Sequence, residues 1–370
     1  MRGRARSPQH LAADLLRQTE PRRSTPDVSG VGIRRGQDRP FRLPADAGCR
    51  RRRAPAGLAV ARLAAVTGAT GFLGRYIVTA LASRGWQVRI LARQYPVYPQ
   101  FADLNLEVVP GDLSDKGALR ELVRGAGTVV HAAGLIKAPN AAAFRVANVD
   151  GTANLMNVLN ECEPEARKLL LVSSMAAREP GLSAYAATKR EAEEVAAKAA
   201  GSLRDWGIVR PCAIYGPWDR ETLAIFQAAS RRIFPVPRAP DARVALIHAT
   251  DAAAAIASLC DHDCSGGTFE LTDERAGGYS WDEIAVAAGE ALGVEPLRVP
   301  VPGLALRMAG VAGAAAARIT GRIPMLTPGK AREILHSDWG SHAGRQPPQN
   351  IWRPEIGVAR GFKETVAWYR

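Results

Sequence analysis

The stretch "VTGATGFLG" at residues 66–74 places three glycines, Gly68, Gly71 and Gly74, between an apolar run and a helical segment. Glycines at such a turn let the backbone approach a pyrophosphate closely, and the helix N-terminus offers it N–H groups and positive potential. The glycine spacing alone is a weak signal, but it becomes strong after a buried strand that leads into a helix. The stretch therefore predicts a dinucleotide site, with a tight turn that binds no ligand as the alternative.

Short apolar runs alternate with helical segments from residue 63 onward, which is typical of a doubly wound parallel sheet. The predicted fold class is α/β, with a Rossmann-type doubly wound parallel sheet and a smaller, mostly helical C-terminal substrate-binding region. We expect a nucleotide-binding domain over 63–240 and a mostly substrate-binding region over 241–370, in which a strand and helix at 243–273 complete the core. Helical structure is expected over 280–339, with Thr327 as an N-cap, and Thr250 is expected to cap the helix at about 250–260.

The net charge of +13 is concentrated near the N-terminus. Residues 1–60 hold 14 Arg, no Lys and five acidic residues and so carry +9, which leaves +4 for residues 61–370. The sequence shows no basic face interleaved with aromatic residues, which is the pattern that would indicate nucleic-acid binding. We expect residues 1–60 to be a disordered Arg-rich extension, best explained by a start site assigned too far upstream. A basic tail that binds an acidic partner and a transit peptide are the alternatives.

The five cysteines show no spacing typical of a disulfide framework, which fits a reducing compartment and a cytoplasmic protein. The motif "CDHDC" at 260–264 crowds its potential ligands into five adjacent residues, so no metal site is predicted. The apolar stretch at 302–320 is interrupted by Arg307 and Arg318 and does not predict a transmembrane helix.

The end of the second predicted strand bears on the choice of cofactor. An acidic residue there accepts hydrogen bonds from the ribose hydroxyls, whereas an arginine accommodates a 2′-phosphate. Arg93 lies 19 residues after Gly74, and "ILARQYP" contains no acidic residue. The sequence therefore favours NADP(H), with NAD(H) as the alternative cofactor and a solvated strand end as the alternative interpretation of Arg93.

Tyr185 and Lys189 lie four positions apart in "SAYAATKR" at 183–190, so they would lie on one helix face. Taken with motifs in a characteristic order, the pair resembles the extended short-chain dehydrogenase/reductase superfamily, in its NAD-dependent epimerase/dehydratase family. The resemblance covers residues 63 to about 260. It rests on the following motifs: "TGATGFLG", "GDLSD" (111–115), "HAAG" (131–134), "NVDGT" (148–152), "VSSMA" (172–176), "YAATK" (185–189) and "RPCAIYGP" (210–217).

The resemblance implies a role for each matching residue. Asp112 would meet the adenine, Ser174 rather than Ser173 would be the catalytic hydroxyl, and Asn148 would support the site from its helix. The catalytic set is therefore predicted to be Ser174, Tyr185, Lys189 and Asn148. The cofactor is predicted to contact Gly68, Thr70, Gly71, Phe72, Leu73, Gly74, Arg93, Asp112, Leu113, Ala132, Ala133, Gly134, Tyr185, Lys189, Pro211 and Ile214.

The chemistry explains why these residue types are needed. Hydride transfer to a carbonyl leaves charge on the substrate oxygen, and a proton must arrive as that charge develops. A free tyrosine titrates near pH 10, so Lys189 is expected to lower the pKa of Tyr185 by stabilising the phenolate. Ser174 would polarise the carbonyl, and Lys189 would hydrogen-bond the nicotinamide ribose.

The substrate is less well specified by the sequence. The apolar, Ala/Gly/Leu-rich region after residue 300 favours a ketone on a lipid- or steroid-like substrate over a sugar diphosphate. Residues 302–319 could instead form a core helix, or lie on a membrane surface as a peripheral contact. The sequence is also compatible with a homodimer.

Two other functions are open at this stage. A nucleotide-sugar epimerase or dehydratase could use Arg243 and Arg238 to bind a diphosphate. A non-catalytic NADPH-binding subunit is the second, because "GATGFLGRYIV" also resembles the 39-kDa accessory subunit of respiratory complex I. Those subunits generally lack the Tyr-x-x-x-Lys pair, so Tyr185 and Lys189 argue against this alternative.

Overall fold

The computed structural model describes residues 62–162, 167–239, 242–320, 324, 326–342 and 344–370. The predictions for residues 1–60, including Cys49, lie outside these residues. The strands are, in chain order, β1 (Leu63–Thr67), β2 (Gln87–Ala92), β3 (Leu106–Pro110), β4 (Thr128–His131), β5 (Lys168–Val172), β6 (Asp205–Pro211), β7 (Ala213–Tyr215), β8 (Ile233–Arg238), β9 (Leu246–His248), β10 (Thr268–Leu271) and β11 (Leu297–Pro302).

The α-helices lie between and after these strands. They are α1 (Phe72–Ser83), α2 (Lys116–Val123), α3 (Ala141–Arg145), α4 (Gly151–Glu161), α5 (Ala184–Ala199), α6 (Leu223–Ser230), α7 (Ala249–Asp261), α8 (Trp281–Leu292), α9 (Gly303–Thr320), α10 (Pro328–Leu335) and α11 (Val358–Tyr369). A π-helical turn, Val146–Asp150, joins α3 to α4, and a 3-10 turn, Met175–Arg178, follows β5.

Seven strands form the central sheet in the order β10-β6-β5-β4-β1-β2-β3, and every pair within it is parallel. The predicted fold class is thus confirmed. The chain starts in the middle of the sheet at β1, runs outward through β2 and β3, and then crosses back to β4. The carboxyl ends of β1 and β4 therefore flank the point where the strand order reverses, which is where open α/β sheets bind their ligands.

Apolar residues cover both faces of the sheet because each crossover helix packs against it. One layer buries Ile77 of α1 and Leu259 of α7, and the other buries Leu122 of α2 and Leu155 of α4. Fully covered strands are expected to be mostly apolar, as β5 is at residues 169–172, the four buried residues that follow Lys168. A separate core is built around Phe362 of α11, with the rings of Tyr215 and Phe226 against it.

The region at 280–339 is only partly helical. Thr327 caps α10 as predicted, since its side chain accepts a hydrogen bond from the backbone N–H of Lys330. The prediction missed β11, which pairs in parallel with β8. Both strands contain alternating prolines, which remove ladder donors and argue against a strand in the middle of a sheet. A two-stranded sheet has only edge strands, so it accommodates them.

The predicted cap of the helix after β9 was wrong by two residues. His248, not Thr250, is the N-cap of α7, and its Nδ1 accepts a hydrogen bond from the backbone N–H of Thr250 at 3.3 Å. An imidazole nitrogen can take this role when the tautomer leaves it unprotonated.

The "CDHDC" segment is held by backbone contacts to a buried ion pair. Asp205 accepts hydrogen bonds from the backbone N–H groups of Cys264 and Ser265, and it lies 3.0 Å from Lys168. Among the residues that the structure describes, no group of His, Cys, Asp and Glu is arranged to hold a metal ion.

Candidate active site

The glycine-rich turn lies at the carboxyl end of β1, next to the end of β4. Gly68 has φ +72°, and a Cβ there would lie 2.5 Å from the backbone carbon of Ala132. A Cβ on Gly74 would lie 2.0 Å from the carbonyl oxygen of Gly68. The first N–H groups of α1 have no side-chain cap, because its N-cap is Gly71. The turn therefore packs closely, and the first N–H groups of α1 are available to an anion.

The rest of the predicted nucleotide segment lies at the same edge. Thr70, Phe72 and Leu73 are half-buried, whereas Gly71 is exposed. Side chains of α1 that point inward pack in the core. The segment thus presents accessible backbone at the junction between the buried strand β1 and the packed helix α1.

His131 anchors the end of β4 under the predicted "HAAG" cofactor segment. Its Nδ1 lies 2.6 Å from the hydroxyl oxygen of Thr67, and its Nε2 lies 3.0 Å from that of Thr152. Thr67 also accepts a hydrogen bond from the backbone N–H of Ala133 at 3.3 Å. Burial, followed by the positive charge of Lys189, lowers the pKa of His131 to about 3. A neutral imidazole therefore ties β1, β4 and α4 together, a role that the sequence analysis did not assign.

The predicted residues Ala132, Ala133 and Gly134 follow this anchor; the two alanines are half-buried and Gly134 is exposed. A Cβ on Gly134 would lie 2.9 Å from Oδ1 of Asn148 and 3.5 Å from Nζ of Lys189. The segment therefore runs from the glycine-rich turn to the predicted catalytic residues.

Arg93 and Asp112 lie at the ends of two neighbouring strands, and both are exposed. The hydroxyl of Ser114 donates to Asp112 at 2.6 Å, and this bond is the main reason that the pKa of Asp112 is lowered. The charge of Arg93 acts in the same direction. The neighbouring Leu113 packs on Gly151 and is half-buried. The strand ends thus place one positive and one negative side chain at the predicted adenosine end.

Asn148 lies in the π-helical turn and is 2% exposed. Its Oδ1 accepts a hydrogen bond from the backbone N–H of Leu135 at 2.8 Å. Its Nδ2 donates to the carbonyl of Leu135 at 3.2 Å and to the hydroxyl of Thr188 at 3.1 Å. Asn148 therefore links the segment after β4 to the helix that carries Tyr185 and Lys189.

Of the two serines after β5, the one that contacts Tyr185 is Ser174. Its side chain hydrogen-bonds to Tyr185 and also accepts from the backbone N–H of Ala176 at 3.2 Å. The hydroxyl of Ser173 is buried and has no hydrogen-bond partner within the described part of the chain. The structure thus brings Ser174, and not Ser173, next to Tyr185, and the catalytic role of Ser174 stays a prediction.

Tyr185 and Lys189 are carried on α5, whose N-cap Ser183 accepts from the backbone N–H of Ala186 at 3.0 Å. Lys189 is 8% exposed, and its Nζ donates to the carbonyl of Val172 at 2.9 Å. Burial lowers the pKa of Lys189 to about 8, while Glu193 acts in the opposite direction.

The sequence analysis expected Lys189 to lower the pKa of Tyr185. In the protein chain without cofactor this direction is wrong. Burial raises the pKa of Tyr185 to about 12, the hydrogen bond from Ser174 lowers it, and the charge of Glu333 raises it. Desolvation of the phenolate outweighs the stabilisation that the Tyr-Lys spacing suggested.

Pro211 and Ile214 lie on either side of the β6–β7 junction. Pro211 is the buried last residue of β6, and Ile214 is a half-buried residue of β7 that pairs with Ile247. Both lie close in sequence to the carboxyl end of β6, the sheet neighbour of β5. The predicted residues thus follow the ends of β1 to β6 along one edge of the sheet.

Two charged residues near the catalytic helix were missed by the sequence analysis. Glu193 lies one turn beyond Lys189 on α5 and receives two hydrogen bonds from Arg210, at 2.8 and 2.6 Å. Its spacing from Lys189 was readable in the sequence. Glu333 of α10 accepts a hydrogen bond from the Ser183 hydroxyl, and no local sequence signal connects residues 150 positions apart.

The sequence model of the family described as "NAD dependent epimerase/dehydratase family" matches residues 64–271. The ceramide reductase of Caulobacter vibrioides is 42% identical over 307 residues, covering 83% of this chain and 94% of that protein. Sterol demethylase protein B of Methylococcus capsulatus is 28% identical and covers 82% and 97%, respectively. The solved structure of dTDP-glucose 4,6-dehydratase from Streptomyces venezuelae with NAD bound has a TM-score of 0.62 at 22% identity, covering 83% and 96%.

Proposed function

The chain belongs to the NAD-dependent epimerase/dehydratase family, and from this premise we propose that it reduces a ketone, or oxidises the corresponding alcohol, on an apolar lipid-like substrate. The observation that carries this proposal is the contact of Tyr185 with Ser174, one helical turn from the buried ammonium of Lys189. A proton donor, a hydrogen-bond donor and a fixed positive charge are the groups that carbonyl reduction requires.

Each of these side chains has a distinct part in the proposed reaction. A reduced nicotinamide supplies the hydride when it is bound. Ser174 donates a hydrogen bond to the carbonyl oxygen, and the Tyr185 hydroxyl transfers its proton to that oxygen as negative charge develops. Lys189, one helical turn along α5, stabilises the resulting phenolate through its positive charge. Since burial raises the pKa of Tyr185 to about 12, the free chain keeps the phenol protonated and ready to donate.

The glycine-rich turn fits a dinucleotide. Its tight packing at Gly68 and Gly74 leaves the uncapped N–H groups of α1 free to bind the pyrophosphate. Ala132, Ala133 and Gly134 would line the path to the nicotinamide. We propose NADP(H) as the preferred cofactor, because the exposed Arg93 can bind a 2′-phosphate. NAD(H) is the alternative, and the family as a whole is NAD-dependent.

Apolar side chains near the catalytic residues support a lipid-like substrate. Leu135, Ile136 and Val146 are 40%, 58% and 63% exposed, and they flank the contacts of Asn148. The ring of Phe144 lies 6.1 Å from that of Tyr185. The relative named ceramide reductase, at 42% identity, makes a ketone on a ceramide skeleton the first substrate to test.

A nucleotide-sugar substrate is less well supported. Arg243 was the candidate for binding a diphosphate, but its guanidinium lies 3.3 Å from the carboxylate of Glu283. An engaged guanidinium offers fewer donors to a ligand, so Arg243 does not favour this alternative.

The test is NADPH oxidation by the full chain with ceramides that carry a ketone, ketosteroids and sugar nucleotides. We expect turnover with an apolar ketone, and we expect Tyr185→Phe to lower kcat about 10²–10⁴-fold, the usual contribution of a general acid. NADPH affinity should be unchanged, and Tyr95→Phe, at a 75% exposed tyrosine, is the matched control.

Two results would contradict the proposal. Turnover of a sugar nucleotide alone would overturn the substrate class. NADPH binding without turnover of any substrate, unaffected by Tyr185→Phe, would favour the non-catalytic subunit.

A further inference from the structure

The helix α9 exposes the side chains that a helix in a protein core normally buries. Leu304, Met308 and Val311 are 70%, 64% and 59% exposed, and Ile319 is 87% exposed. With the exposed Ala315, they recur at helical spacing and form one stripe about 22 Å long, which we call the apolar stripe. The alternative that residues 302–319 form a core helix is therefore wrong.

The opposite face of α9 packs through small residues. Gly310 is buried, and a Cβ on it would lie 2.9 Å from the carbonyl oxygen of Thr327. A Cβ on Gly313 would lie 2.6 Å from the carbonyl oxygen of Leu326. The helix thus lies close against the chain that leads into α10, with its large apolar side chains pointing away.

The charge of this region is of one sign. Residues 296–332 contain six basic residues and no acidic residue. Arg307 is exposed on α9 directly beside the apolar stripe, where its aliphatic part can lie on an apolar surface while the guanidinium reaches a polar one. An apolar stripe with positive charge beside it matches an anionic lipid surface rather than an acidic or neutral protein surface.

We propose that α9 is a membrane-docking helix that lies in the interface of an anionic lipid bilayer through the apolar stripe. It would lie in the plane of the bilayer, because no helix of the described residues is long and apolar enough to cross one. This inference extends the proposed lipid-like substrate, but binding of the helix to vesicles requires neither cofactor nor turnover.

The docking helix lies one element away from the catalytic helix. α10 follows α9 and contacts Ser183, the N-cap of α5, through Gly329 and Glu333. Arg332 donates to the carbonyl of Leu182 at 2.7 Å. A bilayer bound at α9 would therefore bring lipid to the side of the protein on which Tyr185 is held.

The test compares the full chain with the double variant Met308→Glu/Val311→Glu in co-sedimentation with vesicles of phosphatidylglycerol or of phosphatidylcholine. Both substituted side chains are exposed, so the fold should be kept, and NADPH binding verifies this. Val286→Glu, at a 44% exposed valine on α8, is the matched control. All three proteins carry the Arg-rich residues 1–60, so any attraction of that segment to anionic lipid is common to them.

We expect binding to phosphatidylglycerol vesicles that exceeds binding to phosphatidylcholine vesicles. The double variant should bind at least about tenfold more weakly than the wild type and the control, given the burial of two large apolar side chains. In hydrogen exchange, vesicles should slow the exchange of residues 303–320.

Equal binding of the three proteins would overturn the inference. The inference would also be overturned if the wild type bound no vesicles and formed a dimer while the double variant stayed monomeric, because a second copy of the chain would then cover the apolar stripe. Vesicle binding through α9 by a protein that reduces no ketone would refute the proposed function alone. Reduction of a detergent-dissolved ketone without vesicle binding would refute this inference alone.

Discussion

His131→Gln tests how the end of β4 is held beneath the proposed cofactor segment. The imidazole is 1% exposed and is hydrogen-bonded to Thr67 and Thr152 at 2.6 and 3.0 Å. Burial, followed by the charge of Lys189, lowers its pKa from 6.5 to about 3. The folded chain therefore keeps this ring neutral in a pH range in which the unfolded chain protonates it.

The magnitude follows from the width of that range. Below pH 6.5 the unfolded state takes up a proton that the folded state accepts only near pH 3, so the free energy of unfolding falls as the pH falls between these values. One proton changes the free energy of unfolding by about 1.4 kcal/mol per pH unit. Because the unfolded histidine is only half protonated at pH 6.5, lowering the pH from 6.5 to about 4.5 should remove about 2 kcal/mol through His131 alone.

The assay is urea unfolding of the cofactor-free protein, followed by tryptophan fluorescence over this pH range. His131→Gln should be less stable than the wild type at neutral pH, because hydrogen bonds are lost, and the difference should shrink by about 2 kcal/mol between pH 6.5 and about pH 4.5. His342→Gln, at an exposed histidine, is the matched control. Carboxylates titrate alike in all three proteins and cancel in the difference. Parallel stability curves for His131→Gln and the wild type would refute the assignment of a buried neutral imidazole.

Two further predictions concern the nucleotide site. Gly74→Ala places a Cβ 2.0 Å from the Gly68 carbonyl oxygen, so we expect a loss of about 1–3 kcal/mol in the free energy of unfolding and weaker NADPH binding by calorimetry. Gly127→Ala, where a Cβ meets nothing within 4 Å, should change neither quantity, and equal effects of the two would contradict this account. Arg93→Ser should weaken NADPH binding about tenfold through loss of a charge-assisted contact and leave NADH binding unchanged. A parallel loss for both cofactors would show that Arg93 does not bind the 2′-phosphate.

The elements of the sheet were predictable because their signals are local. A buried parallel strand is mostly apolar, as β5 is at residues 169–172, and glycine marks the turn at Gly68 because only glycine fits its φ of +72° beside Ala132. The Tyr185–Lys189 spacing predicted a shared helix face in the same way, and α5 confirms that face.

Other features depend on which elements are neighbours. The alternating prolines of β8 and β11 are compatible with strands because these two strands form a two-stranded sheet, in which each is an edge strand. The contact between Glu333 and Ser183 joins α10 to the N-cap of α5, across 150 positions of the sequence. No window of sequence contains both partners of such a contact.

The sequence by itself determined the family, the fold class and the identity of the residues at the carboxyl edge of the sheet, because these follow from short motifs and local periodicity. Only the tertiary structure decided that Ser174 contacts Tyr185, that burial raises rather than lowers the pKa of Tyr185, and that α9 turns its large apolar side chains outward. These three properties depend on how much water and charge surround a side chain, and that is set by distant parts of the chain packed against it.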